Sequence, residues 1–158
     1  VSVTIPQGVD DGTRLRLAGE GEAGRGGASD GDLFIFLNIR PHPIYKREAQ
    51  HMAVELPVDF VTAALGGEIT LPTLDGKNLK VKIPEGTQSG DKIRLKQQGM
   101  PTLNGGGRGD LFILPQVEVP TKLDKKQKEL LKELSEAMND KNQPRQKDFM
   151  QKAKKVHK

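Results

Sequence analysis

Apolar and polar positions alternate early. Val1, Val3 and Ile5 are separated by Ser2 and Thr4, the period of a half-buried strand, and Pro6 and Gly8 close it. Leu15 and Leu17 alternate with Arg14 and Arg16 after the turn signal Asp11-Gly12. A Gly-rich loop leads to an apolar stretch, Leu33 to Ile39, which predicts a further strand. Met52 to Val58 alternates again. Phe60 to Leu65 predicts one or two helical turns stopped by Gly66-Gly67. Strands are expected over Glu68–Leu71 and Leu79–Ile83, with the turn Asp75-Gly76 between them, and over Leu111–Val117. Pro115 donates no ladder hydrogen bond, so it predicts an edge or a bulge.

From residue 121 the period changes. Asp124 and Gln127 have the spacing of a capping box. Leu123, Leu130, Leu131, Leu134 and Met138 recur at helical spacing, and the helix is expected to stop between Asn139 and Pro144. Phe149, Ala153 and Val156, set among five Lys, make a second short amphipathic pattern.

The strand patterns come in two copies. Val3-Thr4-Ile5-Pro6-Gln7-Gly8 matches Val81-Lys82-Ile83-Pro84-Glu85-Gly86. Gly12 to Leu17 matches Gly90 to Leu95, and Gly31-Asp32-Leu33-Phe34-Ile35 matches Gly109-Asp110-Leu111-Phe112-Ile113. All three blocks share one ungapped offset, the 78 positions that separate Val3 from Val81, so the chain reads as a duplication. Residues 52–74 belong to the second copy, and their counterparts would precede residue 1. The expectation is therefore a piece of a longer protein whose first unit is truncated at its N-terminal side.

Composition narrows the function. Hydrophobic residues make up 34% of the chain, with five Phe, one Tyr and no Trp, so two thin cores fit better than one large core. Any apolar binding surface must be mostly aliphatic. There is no Cys, which removes disulfides and thiolate metal sites from these residues and is compatible with a reducing cytoplasm. No apolar run approaches the roughly 20 residues of a membrane span. Residues 1–120 hold 13 Lys/Arg against 15 Asp/Glu, whereas residues 121–158 hold 12 against 6. The basic character belongs to the tail, and a nucleic-acid binder usually carries it on the folded body.

Catalytic patterns are thin. Gly19-Glu20-Gly21-Glu22-Ala23-Gly24 spells a dinucleotide fingerprint, but the Gly-rich continuation through Gly31 is no helix opening, and a hairpin loop is expected instead. His42, His51 and His157 lack metal-ligand spacing. Asp32 and Asp110 close Gly-Asp turns before strands, which favours a structural role over paired acids. The stretch Leu33 to Leu37 is apolar on both faces. It is either a strand buried on both sides, or one that covers a core with one face and lines a groove with the other, as in β-augmentation.

The blocks Ile5-Pro6-Gln7-Gly8-Val9, Arg16-Leu17-Ala18-Gly19-Glu20-Gly21-Glu22, His42-Pro43-Ile44-Tyr45-Lys46-Arg47, Ala63-Ala64-Leu65-Gly66-Gly67, Leu71-Pro72-Thr73-Leu74-Asp75-Gly76 and Gly99-Met100-Pro101 closely resemble the C-terminal client-binding region of the bacterial DnaJ co-chaperone family. The resemblance implies a mainly all-β chain. Two tandem β-sandwich or barrel-like domains, residues 1–43 (truncated) and 44–120, would precede a dimerisation helix and basic tail, 121–158. It implies capture of unfolded or extended client polypeptides and cytoplasmic delivery to a DnaK-type chaperone, with the exchange factor GrpE involved indirectly. The expected state is a homodimer, with no enzymatic activity and no membrane partner. No cofactor is expected in these residues, zinc being assigned to the family's Cys-rich segment, which like the ATPase-stimulating J-domain is absent here. By the same resemblance Val1, Val3, Leu33, Ile35 and Leu37 fall at the client pocket, and Leu130, Leu131, Leu134 and Met138 at the dimer contact. The rival expectation is nucleic-acid binding through the basic tail.

Overall fold

The computed structural model describes residues 1–157 and builds most of its strands where the alternation places them; Val1–Ile5, the end of the Leu33–Ile39 stretch and the unexpected strand Tyr45–Glu48 depart from it. β1 (Arg14–Leu17) and β2 (Leu33–Phe36) form an antiparallel ribbon in which Leu15 faces Ile35 and Leu17 faces Leu33. In the second copy, β3 (Tyr45–Glu48), β4 (His51–Asp59), β7 (Ile93–Leu95) and β8 (Leu111–Glu118) make a four-stranded sheet ordered β3-β4-β8-β7. Its central pair, β4 and β8, is parallel and the other two pairings are antiparallel. β5 (Gly67–Pro72) and β6 (Asn78–Ile83) form a second antiparallel ribbon.

Between β4 and β5 lies α1 (Phe60–Leu65), capped by the Asp59 carboxylate, which accepts from the Thr62 amide at 3.0 Å. Gly66, at φ 78°, ends it in the left-handed region as expected. The sheet, the ribbon and α1 close on one core. Val54, Leu56 and Val58 from β4, Val81 and Ile83 from β6, Leu111 and Ile113 from β8, and Ala63 of α1 are all buried in it.

Pro115 lies on an interior strand, not on the edge strand or bulge expected, and the sheet accommodates it locally. β8 is central, but β7 reaches only as far as the partner of Ile113. Two residues beyond Pro115, the Val117 amide points to the same side and donates to Ser89 Oγ at 2.8 Å rather than to a strand. The missing N–H of Pro115 thus faces a side where β8 is locally an edge, and no ladder bond is lost.

Val1–Ile5 forms no strand. Its counterpart in the second copy, β6, pairs with β5. No strand among the described residues pairs with Val1–Ile5. An extended segment without a ladder partner gains too little to offset its ordering entropy. The strand expected to reach Ile39 also stops at Phe36, although Leu37 still exchanges backbone hydrogen bonds with Gly12 and Thr13 at 2.8 and 2.9 Å.

Residues 1–118 make one compact unit and residues 119–158 another. In the second, α2 (Lys125–Ala137) begins with the expected capping box: the Asp124 carboxylate accepts from the Gln127 amide, and the Gln127 side chain accepts from the Asp124 amide. Met138, expected in the helical row, is instead the extended C-cap at ψ 154°. After a turn, α3 (Pro144–Lys154) adds a second helix with Pro at its first position, where an absent N–H costs nothing.

Candidate functional site: the β1–β2 ribbon and its counterparts

Leu33, Ile35 and Leu37 stand on one face of the first ribbon, where they are half-buried with Leu15 and Leu17. Phe34 and Phe36 occupy the opposite face and are exposed by 44% and 67%. Arg14 lies over the Phe34 ring, 4.9 Å from its centroid, a cation–π contact that leaves the outer edge of the ring bare. The stretch is therefore not buried on both sides: one face is partly covered and the other is open. The alternation Phe34-Ile35-Phe36 was the signal for the open Phe pair, but pattern alone does not say which face turns inward.

Val3 is half-buried, Val1 is 84% exposed, and no backbone hydrogen bond among the described residues ties either to β2. The duplication gives a physical reading of these five positions. Val1, Val3, Leu33, Ile35 and Leu37 are equivalent to Leu79, Val81, Leu111, Ile113 and Pro115 of the second copy. There Val81, Leu111, Ile113 and Pro115 are almost wholly buried, with Leu79 packed against the same core.

The two copies also share one electrostatic clasp. Asp32 accepts from Arg16 Nε at 2.7 Å and from the Gly19 amide at 3.0 Å. Asp110 accepts from Arg94 Nε at 2.7 Å and from the Gln97 amide at 3.0 Å. The Gly19 amide, and after it Arg16, hold the Asp32 carboxyl below its ordinary range. For Asp110 the Gln97 amide does most of this and Arg94 adds to it, against burial. Gly19 and Gln97 both have left-handed backbone, at φ 74° and 59°, so the carboxylate fixes a tight return between the strands. These aspartates brace hairpins, and neither faces a partner acid. The fingerprint-like glycines likewise form a loop, in which the amide of Gly21 donates to the carbonyl of Gly31 at 2.8 Å and that of Gly31 to Glu22 at 2.9 Å; no helix follows.

Sequence reasoning missed a cleft of about 620 Å³ bordered by Gln7 and Gly8 of the first copy and by Tyr45, Met52, Met100 and Arg108 of the second. Burial raises the Tyr45 hydroxyl above its ordinary value, and this hydroxyl donates to the Pro72 carbonyl at 2.8 Å. Arg47 ties the copies together by donating through its guanidinium to the carbonyls of Gly8 and Val9. The cleft walls come from loops and turns far apart in sequence, so no single motif announces them. Among the described residues no group of three or more His, Asp or Glu is placed to hold a metal ion, and no helix is long and apolar enough to cross a membrane.

In the second unit Leu130 and Leu134 lie on one side of α2, exposed by 50% and 40%, while Leu131 and Met138 are half-buried. Of the four residues expected at the dimer contact, Leu130 and Leu134 form an apolar surface that one chain leaves open.

Comparison with known proteins places these features. The family profile described as DnaJ C terminal domain matches residues 1–120, and that described as Chaperone protein DnaJ C-terminal region matches residues 126–158. The chain is 51% identical over 154 residues to the chaperone protein DnaJ of Pelagibacter ubique, covering 98% of this chain and 41% of that protein. It is 47% identical to the same-named protein of Methylorubrum extorquens over 98% of this chain and 40% of the relative. With that of Zymomonas mobilis it shares 47% over 99% of this chain and 42% of the relative. The chain spans about two fifths of the length of the curated relatives it matches.

Proposed function

Because the chain belongs to the DnaJ C-terminal domain family, we propose that it is the client-holding and dimerising part of a co-chaperone, a binding protein and not an enzyme. One observation carries this reading: Leu33, Ile35 and Leu37 form an apolar row on one face of the β1–β2 ribbon, aligned with Leu15 and Leu17. Leu33, Ile35 and Leu37, with Val1 and Val3, are the proposed contact for extended, unfolded polypeptide. An apolar client side chain buried there gains roughly 1.5–3 kcal/mol, which is weak for one site. Dimerisation through Leu130, Leu131, Leu134 and Met138 would present two such sites. Two linked sites raise avidity by about 10²–10⁴. Residues 1–43 would capture, and 44–120 would act as a spacer. A DnaK-type chaperone would then receive the client, with GrpE acting downstream.

The test is suppression of aggregation of a denatured model protein without ATP. Ile35→Asp is expected to lose that activity while remaining dimeric, and Leu134→Asp to give monomers by light scattering. Equal client binding by Ile35→Asp and the parent would remove the assignment.

The exposure of Phe34 and Phe36 favours a second reading, in which the opposite face of the ribbon makes the contact. In that case Phe36→Asp, not Ile35→Asp, abolishes holding. Binding of nucleic acid by the basic tail predicts affinity that falls steeply with salt and vanishes when residues 139–158 are deleted.

A further inference from the structure

The charge on α2 and α3 is sorted. At 3.6 residues per turn, Leu130, Leu134 and Ala137 share one side of α2, and Glu129, Glu133 and Glu136 run along the adjacent flank. Lys126 stands at the N-terminal end of that flank, Lys125 and Lys132 follow on its outer side at i,i+4 spacing to Glu129 and Glu136, and Lys128 lies opposite the apolar side. On α3 the apolar side is Phe149, Met150 and Ala153, and cations border it on both flanks. Arg145 and Lys152 lie to one side, Lys147 and Lys154 to the other. The single acid of α3, Asp148, is paired with Lys152 at 3.0 Å.

Both apolar faces are open in the single chain. Phe149 is 67% and Met150 50% exposed. Among the described residues no side-chain hydrogen bond or ion pair joins α2 to α3. Exposed aromatic and aliphatic residues in register on a helix call for a partner, and flanking charge decides which. Pairing α3 with a second α3 sets cations against cations. Antiparallel pairing of α2 with itself sets its Glu row against the same Glu row. Docking α3 on α2 brings the apolar sides together and puts Arg and Lys beside Glu129, Glu133 and Glu136.

We propose that the occupant of the α2 apolar face is α3 of a second copy of this chain, so that the dimer is held by two reciprocal α2–α3 contacts. The inference rests on the dimeric reading above and specifies its interface. Reciprocal contacts are the closed arrangement two-fold symmetry requires. The basic tail then belongs to the assembly, and its charge is answered by the partner's α2.

Charge reversal in the full chain tests it. One variant carries Glu129→Lys, Glu133→Lys and Glu136→Lys; the other carries Arg145→Glu, Lys147→Glu, Lys152→Glu and Lys154→Glu. Circular dichroism checks that both keep their helices, and sedimentation at low salt reads mass. Each variant alone is expected to dimerise more than about tenfold more weakly than the parent. An equimolar mixture is expected to form heterodimers, because each reversed helix then meets its complement in trans. Failure of the mixture to associate, when each variant alone is monomeric, overturns the cross-chain contact. A base-to-acid variant that dimerises like the parent while Leu134→Asp is monomeric also overturns it, and leaves a parallel α2 pair as the interface. A parent that is itself monomeric removes the dimeric reading, and this inference with it.

Discussion

Gly31 and Gly109 hold the same place in the two copies, yet the space around them differs. A Cβ on Gly109 would lie 2.0 Å from the Gln50 carbonyl oxygen, whereas on Gly31 its nearest neighbour is 3.8 Å away. The β3–β4 turn passes over the second copy's loop, and backbone there has nowhere to move. Gly109→Ala is expected to lower the thermal midpoint by several degrees, about 1–3 kcal/mol of overpacking, and Gly31→Ala to leave it nearly unchanged. Thermal unfolding of the two variants separates them. The Asp clasps make a second comparison at this scale. A carboxyl whose pKa is lowered by folding stabilises the fold above its unfolded value of 3.8, and that contribution is lost as pH falls through the lower folded value. Asp110→Asn should therefore be less stable than the parent at neutral pH, with the gap closing below pH 3.8. The Asp32→Asn gap should be smaller, since the side chain of Asp32 is 25% exposed against 10% for Asp110. A gap that stays constant from pH 7 to pH 3 would mean the carboxylate charge contributes nothing.

At the scale of elements, the same substitution has different weight in the two copies. Ile113 is fully buried between the sheet and the β5–β6 ribbon, so Ile113→Ala removes packed atoms and leaves a cavity, costing about 2–5 kcal/mol. Ile35, half-buried on a two-stranded ribbon, should cost less than half of that, and denaturant midpoints of the two variants test the ratio. The contrast also shows how far the chain could be read in advance. Alternation located β4, β5, β6 and β8, Gly66 ended α1, and Asp124 with Gln127 started α2, because each signal acts within a few residues of itself. Val1–Ile5 carries as good a strand pattern as Leu79–Ile83, yet only the latter has a partner ribbon. Pairing is a property of two segments, and a pattern in one cannot supply the other. The same limit hid the orientation of β2: alternation put Leu33, Ile35 and Leu37 together and Phe34 with Phe36, but which row faces inward depends on what packs against the ribbon. The cleft beside Tyr45 and Met100 was illegible for the same reason.

At the scale of the whole molecule, affinity for a long unfolded chain and affinity for a short peptide are different quantities. On the proposed reading a peptide with one apolar anchor would engage a single ribbon, so monomer and dimer should bind it equally. An unfolded protein offers many anchors, and a dimer holding two of them gains effective concentration without any new contact. If the α2 face is the proposed dimer contact, Leu134→Asp should leave the dissociation constant for the short peptide unchanged and weaken that for the unfolded protein by up to about 10²–10⁴. Fluorescence anisotropy with the two ligands measures both. The comparison also separates apolar capture from attraction to the tail. The body of residues 1–120 is slightly acidic and the net positive charge lies in residues 121–158, so binding driven by the tail would weaken steeply with salt for both ligands, whereas burial of apolar side chains would not. Loss of peptide binding in Leu134→Asp would mean the ribbon is not an independent site and that the contact is assembled by the dimer itself.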